Sequence, residues 1–153
     1  MPDTALAVLK AILADPRNPD RVRALCAPDV TYVSLNHDHP ALKRVMPWCG
    51  TSHGPDSIVQ TFVDVGRYWR IDDFRIEAEL DSGQHAAIFG RFTYTSTVLN
   101  KSVTSPFAVL ARVRNGVCHF MQFMEDTLAT TGSFRAGGSL VIRSNPDGSE
   151  IEI

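Results

Sequence analysis

Residues 103–125, VTSPFAVLARVRNGVCHFMQFME, constrain the fold of this chain more than any other stretch. Asn115-Gly116 stands between two apolar runs. A tight two-residue hairpin turn needs positive φ at both central positions, and Asn and Gly are the residues that tolerate it. Residues 103–114 and 117–125 are therefore expected to be neighbouring antiparallel strands. Upstream, Phe74, Ile76, Ala78 and Leu80 alternate with Arg75, Glu77 and Glu79, the period of a half-buried strand. Asp81-Ser82-Gly83 turns that strand into a longer one over 85–99, where Gly90 marks a bulge or bend. Asn100-Lys101-Ser102 turns the chain again. The second half of the sequence reads as a meander of about four strands.

The first half has a different period. Leu6, Leu9, Ile12 and Leu13 recur at helical spacing, with Thr4 or Asp3 as the cap and Pro16 as the stop. Asn18-Pro19-Asp20 opens a second helix whose stripe is Val22, Leu25 and Cys26. Residues 30–35 read as a strand, and 36–54 as a long loop rich in turn residues. Gly54-Pro55-Asp56 then starts a third helix with Ile58, Val59, Phe62, Val63, Val65 and Trp69 on one broad face. Asp126 caps a short last turn, and residues 140–144 and 150–153 form a terminal hairpin around Asn145-Pro146-Asp147-Gly148. Helices followed by strands in blocks give an α+β class: helices packed against one face of an antiparallel sheet. The expected division is a domain over 1–134 and a C-terminal β-hairpin extension over 135–153. A long bulged sheet curls around its helices and leaves a cavity.

Composition narrows the function. Charged residues are 21% of 153 and interleave to a net charge of −2, so neither nucleic acid nor a membrane surface is the expected partner. No apolar run approaches the roughly 20 residues of a membrane span, and the N-terminal residues lack a basic leader. Cys26, Cys49 and Cys118 are odd in number without metal-type spacing. They read as reduced thiols in a cytoplasmic protein.

Three stretches, CAPDVTYV at 26–33, PWCGTSHGPDSIVQTF at 47–62 and NGVCHFMQFMEDT at 115–127, resemble the nuclear-transport-factor-2-like superfamily in its SnoaL-like, ketosteroid-isomerase-related branch. The resemblance runs over roughly residues 4–134. It implies a cone-shaped, strongly curved antiparallel sheet packed against three N-terminal helices (a cystatin-like roll), commonly a homodimer through its outer sheet face, with an apolar cavity for a small molecule and no cofactor. It also implies where known chemistry of such folds is missing. Ser34 stands where steroid isomerases carry their general-base Asp, and Ala108 where they carry a protonated Asp. Arg91 matches the arginine of epoxide hydrolases, but Thr93 and Phe123 replace the acids. The enzyme reading is therefore isomerase or lyase-type, similar to polyketide cyclases, without those two mechanisms in their usual form.

Strand parity together with the resemblance turns Val117, His119, Met121, Phe123 and Glu125 inward on the last long strand. On the strand after His85 it turns Arg91, Thr93, Thr95 and Thr97 inward, and on the first strand Tyr32 and Ser34. Hydropathy alone would turn Phe92 and Tyr94 inward instead, and a slip of one residue reverses every position. In this register Glu125, Arg91 and His119 are the candidate catalytic residues. Tyr32, Ser34, Trp48, His53, Phe62, Thr93, Met121 and Phe123 are the candidate ligand contacts. A carboxyl desolvated in such a cavity has its pKa raised, whereas a neighbouring Arg lowers it. The bland alternative is an Arg91–Glu125 salt bridge tying strands together, with His119 a satisfied core histidine.

Other features carry less. Asp126 reads as a helix cap. His37-Asp38-His39 has a metal-like spacing but lacks further ligands, so no metal is expected. Trp48, Cys49 and His53 read as a lid at the cone mouth, and Cys49 lacks the orienting group a nucleophile needs. Three functions stay open: a cofactor-independent acid–base enzyme, a non-catalytic binding domain, and an association module using the outer sheet and the terminal hairpin.

Overall fold

The computed structural model describes residues 3–153, so the first two positions of the expected 1–134 unit lie outside the described residues. Helix α1 (Ala5–Ala14) begins where the Thr4 side chain accepts from the Ala7 N–H at 3.2 Å. Helix α2 (Pro19–Leu25) begins where Asn18 does the same for Arg21. Both caps satisfy N–H groups that a helix cannot pair internally. Strand β1 (Cys26–Ser34) follows without a break.

The stretch expected to be a long loop is ordered into helix α3 (Pro40–Val45) and strand β2 (Gly50–His53). The reason is local. His39 Nδ1 accepts from the Leu42 N–H at 2.9 Å, and Pro40 occupies the first helical turn, where a missing N–H costs nothing. An imidazole is an uncommon cap, so the pattern His39-Pro40 was not legible as one.

Helix α4 (Pro55–Tyr68) leads directly into β3 (Trp69–Asp81), β4 (His85–Ser96), β5 (Ser102–Arg114) and β6 (Val117–Glu125). Helix α5 (Thr127–Gly132) is capped by Asp126, whose Oδ1 accepts from Ala129 N–H at 3.1 Å. Strands β7 (Val141–Ile142) and β8 (Ile151–Glu152) form a separate hairpin. Asn115 and Gly116 adopt φ of 51° and 74°, both positive, as the β5–β6 turn requires.

The large sheet has the order β2-β1-β6-β5-β4-β3. All its pairings are antiparallel except β1 with β6, so the sheet is mixed where a purely antiparallel one was expected. Strand β1 follows α2 directly and joins β6, the last strand of the meander, in parallel. The curvature comes from irregular registers. Strand β3 shifts against β4 between Ile71 and Asp73 and again between Ile76 and Ala78, and β6 shifts against β5 around His119. Each extra residue bends its strand and increases local twist. The sheet is strongly curved and does not close.

Gly90 sits at the second β3 shift, paired with Ile76. A Cβ there would collide with the Arg75 carbonyl oxygen and lie 2.6 Å from the Phe107 ring. Only a glycine lets β3 approach this closely. Inside the curve, Val8, Leu9 and Ile12 of α1 and Ile58 of α4 meet Ile88, Phe92, Val109 and Met121 of the sheet, all buried. Phe107 and Phe123 stack across β5 and β6 with ring centroids 5.5 Å apart. Cys26, Cys49 and Cys118 are all buried free thiols. Among the described residues, no helix is long and apolar enough to cross a membrane.

Candidate functional site

Glu125 is the last residue of β6 and pairs with Phe107 on β5. Phe107 points into the cone, so Glu125 does too, carried inward by the same parity as Met121 and Phe123. Its Oε2 is buried and has no hydrogen-bond partner among the described residues. Burial pushes the Glu125 carboxyl up to about 7; the nearby Thr130 hydroxyl opposes this and the Asp126 charge adds to it. A carboxyl in this state divides between acid and base near neutrality.

Around it the fold gathers phenols and hydroxyls. Glu125, Tyr32, Ser34, Thr61, Trp48 and Tyr94 line one small space, closed by Phe62, Val65 and Phe123. Tyr32 is almost fully buried, with its hydroxyl beside those of Ser34 and Thr61. Burial raises the Tyr32 and Tyr94 phenols above their ordinary range, and the Glu125 charge raises both further. They stay protonated donors beside the acid. Trp48 is held edge-on to Tyr68, with ring centroids 5.1 Å apart.

The innermost space measures only about 20 Å³, room for roughly one water. The expected closed cavity is therefore replaced by two adjoining spaces. A cleft of about 360 Å³ shares Phe62, Val65 and Tyr94 with the inner one and opens between the α1 end, α4 and the edge strand β3. Ile71 and Phe74 give it an apolar wall, and Ile71 is 43% exposed.

Several expected positions lie elsewhere. Arg91 is on the outer face, where its Nη2 meets Glu77 Oε1 at 2.7 Å; the pairing with Glu125 does not form. Thr93 shares that outer face and hydrogen-bonds to Thr104 at 2.8 Å. The buried residues of β4 are Phe92 and Tyr94, so hydropathy and not the family register gives the orientation. Ala108 pairs with Phe89 and Met124 on the outer face as well; its inward neighbours Phe107 and Val109 are equally without an acid. His119 is expelled by the β6 bulge, which makes Cys118 and Met121 the buried residues on either side. It lies in an outer groove, 3.5 Å from Arg114. His53 is exposed on edge strand β2 and faces the Thr31 hydroxyl at 3.4 Å. Thr97 donates to the Arg67 and Tyr68 carbonyls beyond the end of β4.

The site thus unites Glu125 with Tyr32, Ser34, Trp48, Phe62 and Phe123 from the expected set, with Met121 packed below in the core. Tyr94, Thr61 and Val65 were missed. The alternation Phe92, Tyr94 was the available signal for Tyr94; Thr61 carried none, since a threonine inside a helix stripe reads as packing. Among the described residues, no group of three or more His, Cys, Asp or Glu side chains is placed to hold a metal ion.

Comparison with known proteins matches residues 10–138 to the SnoaL-like domain family. The chain belongs to this family. A SnoaL-like domain of this kind has relatives in fungi: it is 39% identical to Patulin synthesis protein F of Aspergillus clavatus, over 94% of this chain and 75% of that protein. It is 38% identical to Patulin biosynthesis cluster protein F of Penicillium expansum, over 95% of this chain and 76% of that one. Among solved structures, an NTF2-like protein of Burkholderia thailandensis superposes with a TM-score of 0.71 at 24% identity, covering 86% of this chain and 98% of its own. TerC, co-crystallised with polyporic acid, superposes with a TM-score of 0.65 at 19% identity, covering 82% and 93%. These likenesses establish that the SnoaL-like domain has the NTF2-like cone fold.

Proposed function

We propose that this SnoaL-like domain is a cofactor-independent acid–base enzyme of the isomerase, cyclase or dehydratase type, acting on a carbonyl-bearing, mostly apolar small molecule. Glu125 moves the proton, and the Tyr32 and Tyr94 hydroxyls donate to the oxygen that gains charge. The observation that carries this reading is the buried, unpartnered Oε2 of Glu125 beside those two phenols. An unpaired buried polar atom costs stability, about 1–3 kcal/mol, and such groups cluster where function retains them. The two fungal relatives named for patulin synthesis and biosynthesis support a place in small-molecule biosynthesis.

The test does not need the natural substrate. Exchange of α-protons in a panel of cyclic ketones in heavy water, followed by NMR, reports proton abstraction directly. Glu125→Gln is expected to slow that exchange about a hundredfold or more while the fold persists. Equal exchange in the variant removes Glu125 from the mechanism.

A binding domain without chemistry is the second reading, favoured by the inner space of only about 20 Å³. Saturable binding of a ketone with no exchange by the wild type selects it. In either case we place a second copy of the chain on the outer sheet. There Phe89 and Met124 are each 50% exposed and flank Ala108 in register, an apolar strip across three strands. Met124→Lys is expected to shift the sedimentation coefficient to that of a monomer. We also assign residues 135–153 as an extension to a 1–134 domain, so truncation after Gly138 should leave the domain folded and weaken the dimer if the hairpin contributes to it.

A further inference from the structure

Arg17 lies between α1 and α2, exposed, on the rim of the open cleft beside Leu13, Phe62 and Tyr94. Its neighbours in sequence are all engaged: Arg21 donates to the Ala11 carbonyl at 2.7 Å, and Arg23 pairs with Asp56 at 2.9 Å. Asp15, the nearest acid along the chain, accepts from Asn18 Nδ2 at 3.2 Å. Among the described residues, no carboxylate or carbonyl stands within hydrogen-bond or ion-pair distance of the Arg17 guanidinium.

A Cβ on Gly66 would lie 2.5 Å from Arg17 Nη2 and 2.9 Å from its Cζ, so the flexible end of the Arg17 side chain lies along the bare backbone of α4 and faces the cleft. The Arg17 charge also reaches the Tyr94 phenol, which the Glu125 charge reaches from the inner space. A positive group, an apolar wall and a proton-transferring acid are thus set along one path from solvent inward.

We propose that Arg17 is the anion anchor of this cleft, and that the ligand is a compact apolar molecule bearing one acidic oxygen function, a carboxylate or an acidic enol. The acidic group pairs with the guanidinium, and the apolar body lies against Phe62, Ile71 and Phe74 with its far end toward the inner space. The anchor itself stands apart from the chemistry proposed for Glu125; only the direction of the far end rests on that reading. Arg suits this role because its planar fork binds two oxygens at once and it stays charged at any accessible pH.

The probes are trans-cinnamate and its neutral counterpart cinnamamide, titrated calorimetrically against the whole chain at neutral pH. Cinnamate is expected to bind about tenfold or more tightly than the amide, the difference a charge-assisted pair supplies. Arg17→Gln should bring the two affinities together. A preference for cinnamate that survives Arg17→Gln overturns the proposal, as does failure of both probes to saturate the wild type. Ketone exchange abolished in Glu125→Gln, with no cinnamate preference in the wild type, removes the anchor and keeps the acid–base reading. The reverse pair of results removes the acid–base reading and keeps the anchor.

Discussion

Glu77 and Glu125 are both glutamates on long strands of one sheet, and they have opposite fates. Glu77 sits at the β3 bulge on the outer face, about half exposed, with Arg91 at 2.7 Å. Water and an arginine satisfy it, and a surface pair of this kind contributes little. Glu125 sits at the inward end of β6 with an oxygen that nothing satisfies, and its carboxyl is pushed up to about 7. The residue type is the same; the face of the sheet decides whether the carboxyl is solvated and paired or desolvated with its pKa raised. Arginine repeats the lesson, since Arg91 was expected inside and is outside, whereas Arg17 was not singled out and stands at the cleft.

Four experiments break or sharpen this contrast. The largest effect is expected in ketone exchange, where Glu125→Gln should cost about a hundredfold and Glu77→Gln nothing beyond about twofold. Comparable losses in both would show that the faces are not functionally distinct.

Next is Gly90→Ala, which tests the curvature that creates an inner face at all. The added methyl meets the Arg75 backbone and the Phe107 ring, so destabilisation of about 3 kcal/mol is expected in urea unfolding. A change below about 0.5 kcal/mol would mean that β3 has slack there.

The third concerns pH. Burial holds the folded-state pKa of Glu125 above its ordinary value of 4.5, at about 7. Between those values the folded protein keeps a proton that the unfolded chain has released, so stability from this carboxyl is full below about pH 4.5 and is lost as pH rises through about 7. The loss is about 3 kcal/mol. Melting temperatures of wild type and Glu125→Gln should therefore diverge as pH rises, with the wild type falling behind. Parallel curves would show that the carboxyl is solvated in solution. The smallest effect is Arg91→Gln, expected to change stability by about 0.5 kcal/mol or less because its ion pair is exposed.

Much of the fold was legible in the chain. The Asn115-Gly116 turn, the period-two run from Phe74 to Leu80, and the caps at Thr4, Asn18 and Asp126 are local signals, and each marks an element that formed. What failed depended on bulges and on unusual caps. The extra residue at His119 reversed parity below Met121, and no sequence pattern announces where a strand takes in an extra residue. The family register placed Arg91 and Thr93 inside, against the plainer hydropathy of Phe92 and Tyr94, and hydropathy held because burying two aromatic rings outweighs burying an arginine and a threonine. In the site, Glu125, Tyr32 and Phe123 came from parity, while Tyr94 and Thr61 emerged only when helix α4 was laid across the sheet.

The sequence by itself determined the helices, the hairpins and the α+β class, because backbone preference and apolar period act over a few neighbouring residues. Tertiary structure alone decided which glutamate is desolvated, which arginine stands at the cleft, and how little room remains at the bottom of the cone. Those properties depend on distances between segments far apart in the chain, set by how bulged strands bend over helices.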